Sequence, residues 1–94
     1  MKVGTIKKQP SEVRTLSIKY DDALDVGDEI SLVASCVVEP SGELTVSPTL
    51  ATTSRVRLWI SGGADGGAYK VTVVVNTVGG ETHEDEVTVK VVEI

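Results

Sequence analysis

Few residues in this chain are of types that could do chemistry, and their spacing argues against most of what they could do. His83 is the only histidine, set in Glu81-Thr82-His83-Glu84-Asp85-Glu86. Nucleophilic catalysis needs a nucleophile, a base within hydrogen-bond reach and a group that orients the base. No serine or cysteine accompanies His83, so it reads either as an acid-tuned base or single metal ligand, or as a solvated histidine beside a hairpin, and the second fits its neighbours better. Cys36 is the only cysteine. It has no basic neighbour to lower its thiol pKa and shares an alternating register with Ala34 and Val38, which favours a packed structural thiol over a reactive one.

Asp21, Asp22, Asp25 and Asp28 crowd one segment, and calcium is held by such oxygen ligands. They lack the Asp-x-Asp-x-Asp-Gly run with a distal glutamate, so a capped, solvated turn is the better reading. Gly62-Gly63 and Gly66-Gly67 are followed by no Gly-Lys-Ser/Thr, which excludes a phosphate loop of that kind. No convergent acid, base and nucleophile set exists, so the expectation is a protein that is not an enzyme and carries no cofactor and no metal.

The chain's 94 residues suffice for one domain. A single cysteine leaves no intrachain disulfide, so stability must come from packing. With 40% hydrophobic residues and no phenylalanine, the core must be built from aliphatic side chains, and the β-branched ones favour pleated strands. A net charge of −5, with basic residues dispersed among acidic ones, argues against nucleic acid as a partner. No run of about 18 apolar residues exists to span a bilayer, and the N-terminus lacks the apolar stretch of a secretory signal, so no membrane association is expected.

Alternating patterns dominate the rest. Residues 1–12 read as an extended N-terminal arm outside the regular core, with Pro10 as a breaker, and 13–94 as one β-sandwich domain. Leu16, Ile18 and Tyr20 share a face in a first core strand. Asp21 to Val26 is the one short helical candidate, a single turn capped by Asp21 or Asp22, with Leu24 plugging the end of the sandwich. Ile30, Leu32, Ala34, Cys36 and Val38 align in a second strand, and Leu44 and Val46 form a short third strand that Pro48 ends. Val56, Leu58 and Ile60 point inward in the next, leaving Arg55, Arg57 and Trp59 outward. Trp59 is then a partner-binding anchor, a residue covered by the arm, or, if the faces are reversed, a core residue.

The glycine-dense corner Gly62-Gly63-Ala64-Asp65-Gly66-Gly67 delivers Tyr69 into Val71, Val73 and Val75. Glycines bend there without steric cost, and the tyrosine roofs the core while its hydroxyl bonds back to the corner. Asn76 to Gly80 reads as a hairpin connection into Val87, Val89 and Val91. Strands without an amphipathic crossover helix predict an all-β, immunoglobulin-like antiparallel β-sandwich of about six to seven strands.

The ordered set Lys8-x-Pro10-x-Glu12, Tyr20-Asp21-x-x-Leu24-x-x-Gly27-Asp28-x-Ile30, Leu58-Trp59-Ile60-Ser61-Gly62-Gly63, Gly66 and Tyr69-x-Val71-Thr72 resembles a family of small tailed-bacteriophage proteins, the fiber-tail adaptors. The resemblance covers nearly the whole chain. It implies a non-enzymatic virion component, made in the host bacterial cytoplasm, that joins or decorates capsid, connector, tail or fiber proteins and works as a homo-oligomer. On that reading the arm and outward strand faces make the contacts, with Lys8, Pro10, Tyr20 and Trp59 as partner-binding residues and Gly66, Gly67 and Tyr69 as the structural corner. The alternative is an immunoglobulin- or fibronectin-like module that recognises carbohydrate or calcium through its end loops, Asp21 to Asp28 and Gly62 to Gly67.

Overall fold

Seven strands carry the alternating apolar residues into two facing layers. A computed structural model describes residues 2–93; Met1 and Ile94, the ends of the expected arm and domain, lie outside the described residues. The strands are β1 (Lys2–Lys8), β2 (Arg14–Lys19), β3 (Ile30–Glu39), β4 (Leu44–Thr52), β5 (Arg55–Gly62), β6 (Ala68–Thr77) and β7 (Thr82–Val91), and no helix occurs among the described residues. One sheet has the order β1-β7-β6-β3 and the other β2-β5-β4. The fold class is therefore all-β with two sheets, as the alternation predicts.

The core lies between the layers. Val56, Leu58 and Ile60 from β5 face Val71, Val73 and Val75 from β6 and Val87, Val89 and Val91 from β7, all essentially without solvent contact. Each such side chain contributes about 1.5 to 3 kcal/mol by leaving water, which is how a chain without phenylalanine or disulfide holds its layers together.

Four expectations need correction. First, residues 2–8 are not an arm outside the core. They form an edge strand that pairs in parallel with β7, so the sandwich is not wholly antiparallel, and Ile6 packs against the core. Backbone groups that would otherwise need water are satisfied on the open edge of β7.

Second, β3 does not keep one register. Irregularities between Ile30 and Leu32 and between Val33 and Ser35 shift its faces, so Ile30, Val33, Cys36 and Val38 turn inward while Leu32 (49% exposed) and Ala34 face solvent. An extra residue in one strand reverses every side chain beyond it.

Third, Pro48 does not end its strand. It sits opposite Leu58 inside β4, which lies at a sheet edge, where a residue without an N–H is tolerated. Fourth, residues 21–26 form turns rather than a helix. The Ala23 and Leu24 amides both donate to the Tyr20 carbonyl at 2.9 Å, and Leu24 still packs half-buried against the core.

Candidate interaction surface

The corner between β5 and β6 is fixed by its local sequence. The Tyr69 ring is buried, and its hydroxyl accepts the Ala64 N–H at 2.9 Å. A Cβ on Gly67 would come within 2.8 Å of that ring, so the absence of a side chain there lets the tyrosine lie across the turn. Gly63 holds φ +96°, and a Cβ on it would meet Val91 at 2.7 Å. The register of β5 against β2 and β4, with its alternation of burial, sets which of its side chains face out.

Lys8 lies at the end of β1 and is 3% exposed. Its ammonium donates to the carbonyls of Gln9 at 2.7 Å, Pro10 at 3.3 Å and Gly62 at 2.5 Å, which ties the N-terminal strand to the corner. Burial pulls its pKa below the usual lysine value, while the Glu12 carboxylate works in the opposite direction. Pro10 is half-buried in the turn that follows. A groove of about 420 Å³ opens beside this junction, between Lys7, Gln9, Glu12, Arg14 and Val92. The Arg14 guanidinium there is engaged with the Lys7 carbonyl at 3.1 Å.

Tyr20 is 1% exposed, a core residue at the end of β2. Its hydroxyl lies beside the buried Asp85, and among the described residues no group meets it within strict hydrogen-bonding geometry. Burial first, and then the Asp85 carboxylate, push its pKa well above the usual tyrosine value. His83, expected in a solvated loop, stands half-buried in β7 with its ring centroid 6.3 Å from that of Tyr20 and its Nε2 3.2 Å from Glu81 Oε1. The raised pKa keeps the Tyr20 hydroxyl protonated, the opposite of an activated nucleophile. Cys36 is half-buried and burial pushes its thiol pKa up, the opposite of activation.

The aspartate loop closes one end of the sandwich. Asp28 Oδ1 accepts the Gly79 N–H at 2.8 Å and the Glu29 N–H at 2.9 Å, and the Val78 N–H reaches the Glu29 carbonyl at 2.8 Å. A hydrogen bond from the Thr77 side chain, then the Gly79 amide, hold the Asp28 carboxyl below its ordinary range. Asp28 thus works as a clasp between the β2–β3 loop and the β6–β7 turn. Among the described residues no three histidine, cysteine, aspartate or glutamate side chains gather closely enough to hold a metal ion.

Of the four residues that the sequence suggests for partner contact, Lys8 and Tyr20 are buried, Pro10 lies at the junction, and Trp59 alone presents a large free side chain, at 44% exposure. Neither the arm nor the core covers it. It sits at the centre of the outer face of β2-β5-β4, flanked by Thr15 on β2 and Ser47 on β4. On the same face the central strand shows Arg57 and Arg55, opposite Ser17 and Lys19.

Sequence reading missed these cations as a group and took the charges to be interleaved. Folding segregates them instead. Strands β2, β4 and β5 carry none of the chain's 14 acidic residues, and Lys19, Arg55 and Arg57 enter no ion pair among the described residues. A signal existed in the stretch 44–64, which has no carboxylate at all.

Residues 8–90 match a family model described as podophage GP4 fiber-tail adaptor protein gp77. No curated protein matches the chain. Among solved structures, the one titled "Solution Structure of Amebosin" aligns over 96% of this chain and 95% of its own, at 10% identity and a TM-score of 0.45, a likeness too loose to carry inference.

Proposed function

The chain belongs to the podophage fiber-tail adaptor family, and from that premise we propose that it is a non-enzymatic virion component that joins tail and fiber proteins through its outer sheet faces and free strand edges. The family match over residues 8–90 carries this reading, because it spans every strand but the first almost entirely. The chemistry of the molecule supports it. Burial raises the Cys36 thiol pKa rather than activating it, whereas Trp59 is exposed on the outer face of the β2-β5-β4 sheet, where an aromatic side chain is available as an interface anchor.

The junction at Lys8 and Pro10 enters the reading differently from the sequence expectation. Lys8 is committed to three carbonyls, so its part is to pin β1, whose outer edge stays open for a neighbour's strand to add to the sheet. Tyr20 supports the loop end from inside. Trp59 is the contact residue.

Surface-immobilised chain should bind the purified tail or fiber protein of its phage, and Trp59→Ala should weaken that binding by about 2 kcal/mol, roughly thirtyfold, with an unchanged thermal melt. Equal affinity of parent and variant for every tail and fiber component would remove Trp59 from the joint. Failure of the parent to bind any of them would remove the adaptor reading itself.

A further inference from the structure

Lys19 on β2 stands directly opposite Arg55 on β5, and Arg57 follows two residues on, beside Trp59. Like charges facing each other across a strand pair destabilise the sheet that holds them, and no carboxylate within β2, β4 or β5 offsets these three. An arrangement that costs stability in the free chain is relieved by a partner that brings negative charge onto this face. The same molecule displays such a partner. Its loop end shows Asp21, Asp22 and Asp25, all exposed, with the exposed Glu81 brought alongside by the Asp28 and Glu29 clasp to the β6–β7 turn.

We infer that the Trp59 face of one copy docks on the aspartate loop end of a second copy. The inference rests on the adaptor reading and deepens it: within a row a second copy covers Trp59, and the tail or fiber protein meets the one Trp59 face left free at the row's end. The two surfaces differ, so the contact is heterologous: the pair keeps one free face and one free loop end, on different copies, and further copies extend it to a ring or a row. Carboxylates from the incoming loop lie over Arg55, Arg57 and Lys19, and the indole supplies apolar area at the centre. Charge complementarity sets the register of such a contact and makes it sensitive to salt.

The chain has one tryptophan, so its fluorescence reports this face alone. Sedimentation of the purified chain should show mass rising with concentration, with a blue shift of the emission as Trp59 is covered. Affinity should fall at least about tenfold between 0.1 and 1 M salt, as the screening length drops from about 10 Å to about 3 Å. A face variant, Arg55→Glu with Arg57→Glu, and a loop variant, Asp22→Lys with Asp25→Lys, should each stay monomeric. All four positions are exposed, so both variants should fold, which circular dichroism checks.

Mixing the two decides the case, because the loop variant keeps an intact face and the face variant keeps an intact loop. A one-to-one complex that goes no further supports the inference. A parent chain that stays monomeric to about 1 mM, or a mixture that stays monomeric, overturns it. So does association that both variants retain. If the monomeric parent still binds a tail or fiber protein, this inference fails while the adaptor reading stands.

Discussion

Tyr69 and Tyr20 are both buried near the ends of strands, yet their hydroxyls differ in a way that each can be made to report. The Tyr69 hydroxyl accepts the Ala64 amide, so Tyr69→Phe should cost about 1 kcal/mol in urea unfolding, the ordinary net worth of one hydrogen bond. Removing the ring as well, in Tyr69→Ala, should cost about 3 to 5 kcal/mol, because the corner loses its roof.

Among the described residues the Tyr20 hydroxyl meets no group within strict hydrogen-bonding geometry, and burial, then the Asp85 carboxylate beside it, raise its folded-state pKa above the ordinary value of 10.0. The unfolded chain therefore releases this proton first as pH rises. The stabilisation is complete below about pH 10 and is lost progressively above it. Tyr20→Phe should leave the melting temperature at pH 7 within the shift given by about 1 kcal/mol and should flatten its fall above about pH 10. An alkaline limb as steep as the parent's would mean that other groups drive it.

At the scale of the element, the corner glycines separate two costs. Gly63 and Gly80 both have φ in the left-handed region, +96° and +93°, but only Gly63 has Val91 and Leu44 where a Cβ would stand. Gly80→Ala should lose about 1 to 2 kcal/mol from backbone strain alone. Gly63→Ala adds the overpacking term and should lose about 1 to 3 kcal/mol more. Equal losses would mean that Val91 and Leu44 yield without cost.

Strand β1 offers a second test. Lys8→Ala removes three charge-assisted hydrogen bonds from the point where β1 meets the corner, and should cost about 2 kcal/mol. Hydrogen exchange should quicken first in the β1 amides, while those of β5 and β6 stay protected.

These elements were unequally legible in the sequence. β5, β6 and β7 bury one face each without interruption, so period-two alternation located them and their inward residues. Tyr69 was legible with its hydrogen bond, because glycine corners and tyrosine roofs follow from local sterics. β3 defeated the same reasoning, since its irregularities leave no mark in composition. β1 was opaque because its partner is β7, nearly the whole chain away, and its pairing makes two of its lysines ambiguous: Lys7 faces solvent and Lys8 is buried. Trp59's outward aim was read correctly. Its cationic surroundings were not, because Lys19 and Arg55 meet only when β2 and β5 pair, with β3 and β4 lying between them in sequence.

For the molecule as a whole, the division of labour follows the layers. The valine-rich interior supplies the stability, the Asp28 clasp and the Lys8 anchor fix the two ends, and one face is left free of carboxylates in a chain whose net charge is −5. On the face-to-loop contact inferred above, an acidic molecule with one cationic, tryptophan-bearing face should repel its own copies in most orientations and accept them in few.

Cross-linking mass spectrometry on purified, salt-washed particles of the encoding podophage tests the virion assignment most directly. The chain should be recovered together with tail and fiber proteins, and Lys19, the one lysine on the Trp59 face, should be joined to a neighbouring protein. Particles that are complete and infectious without the chain would contradict the account.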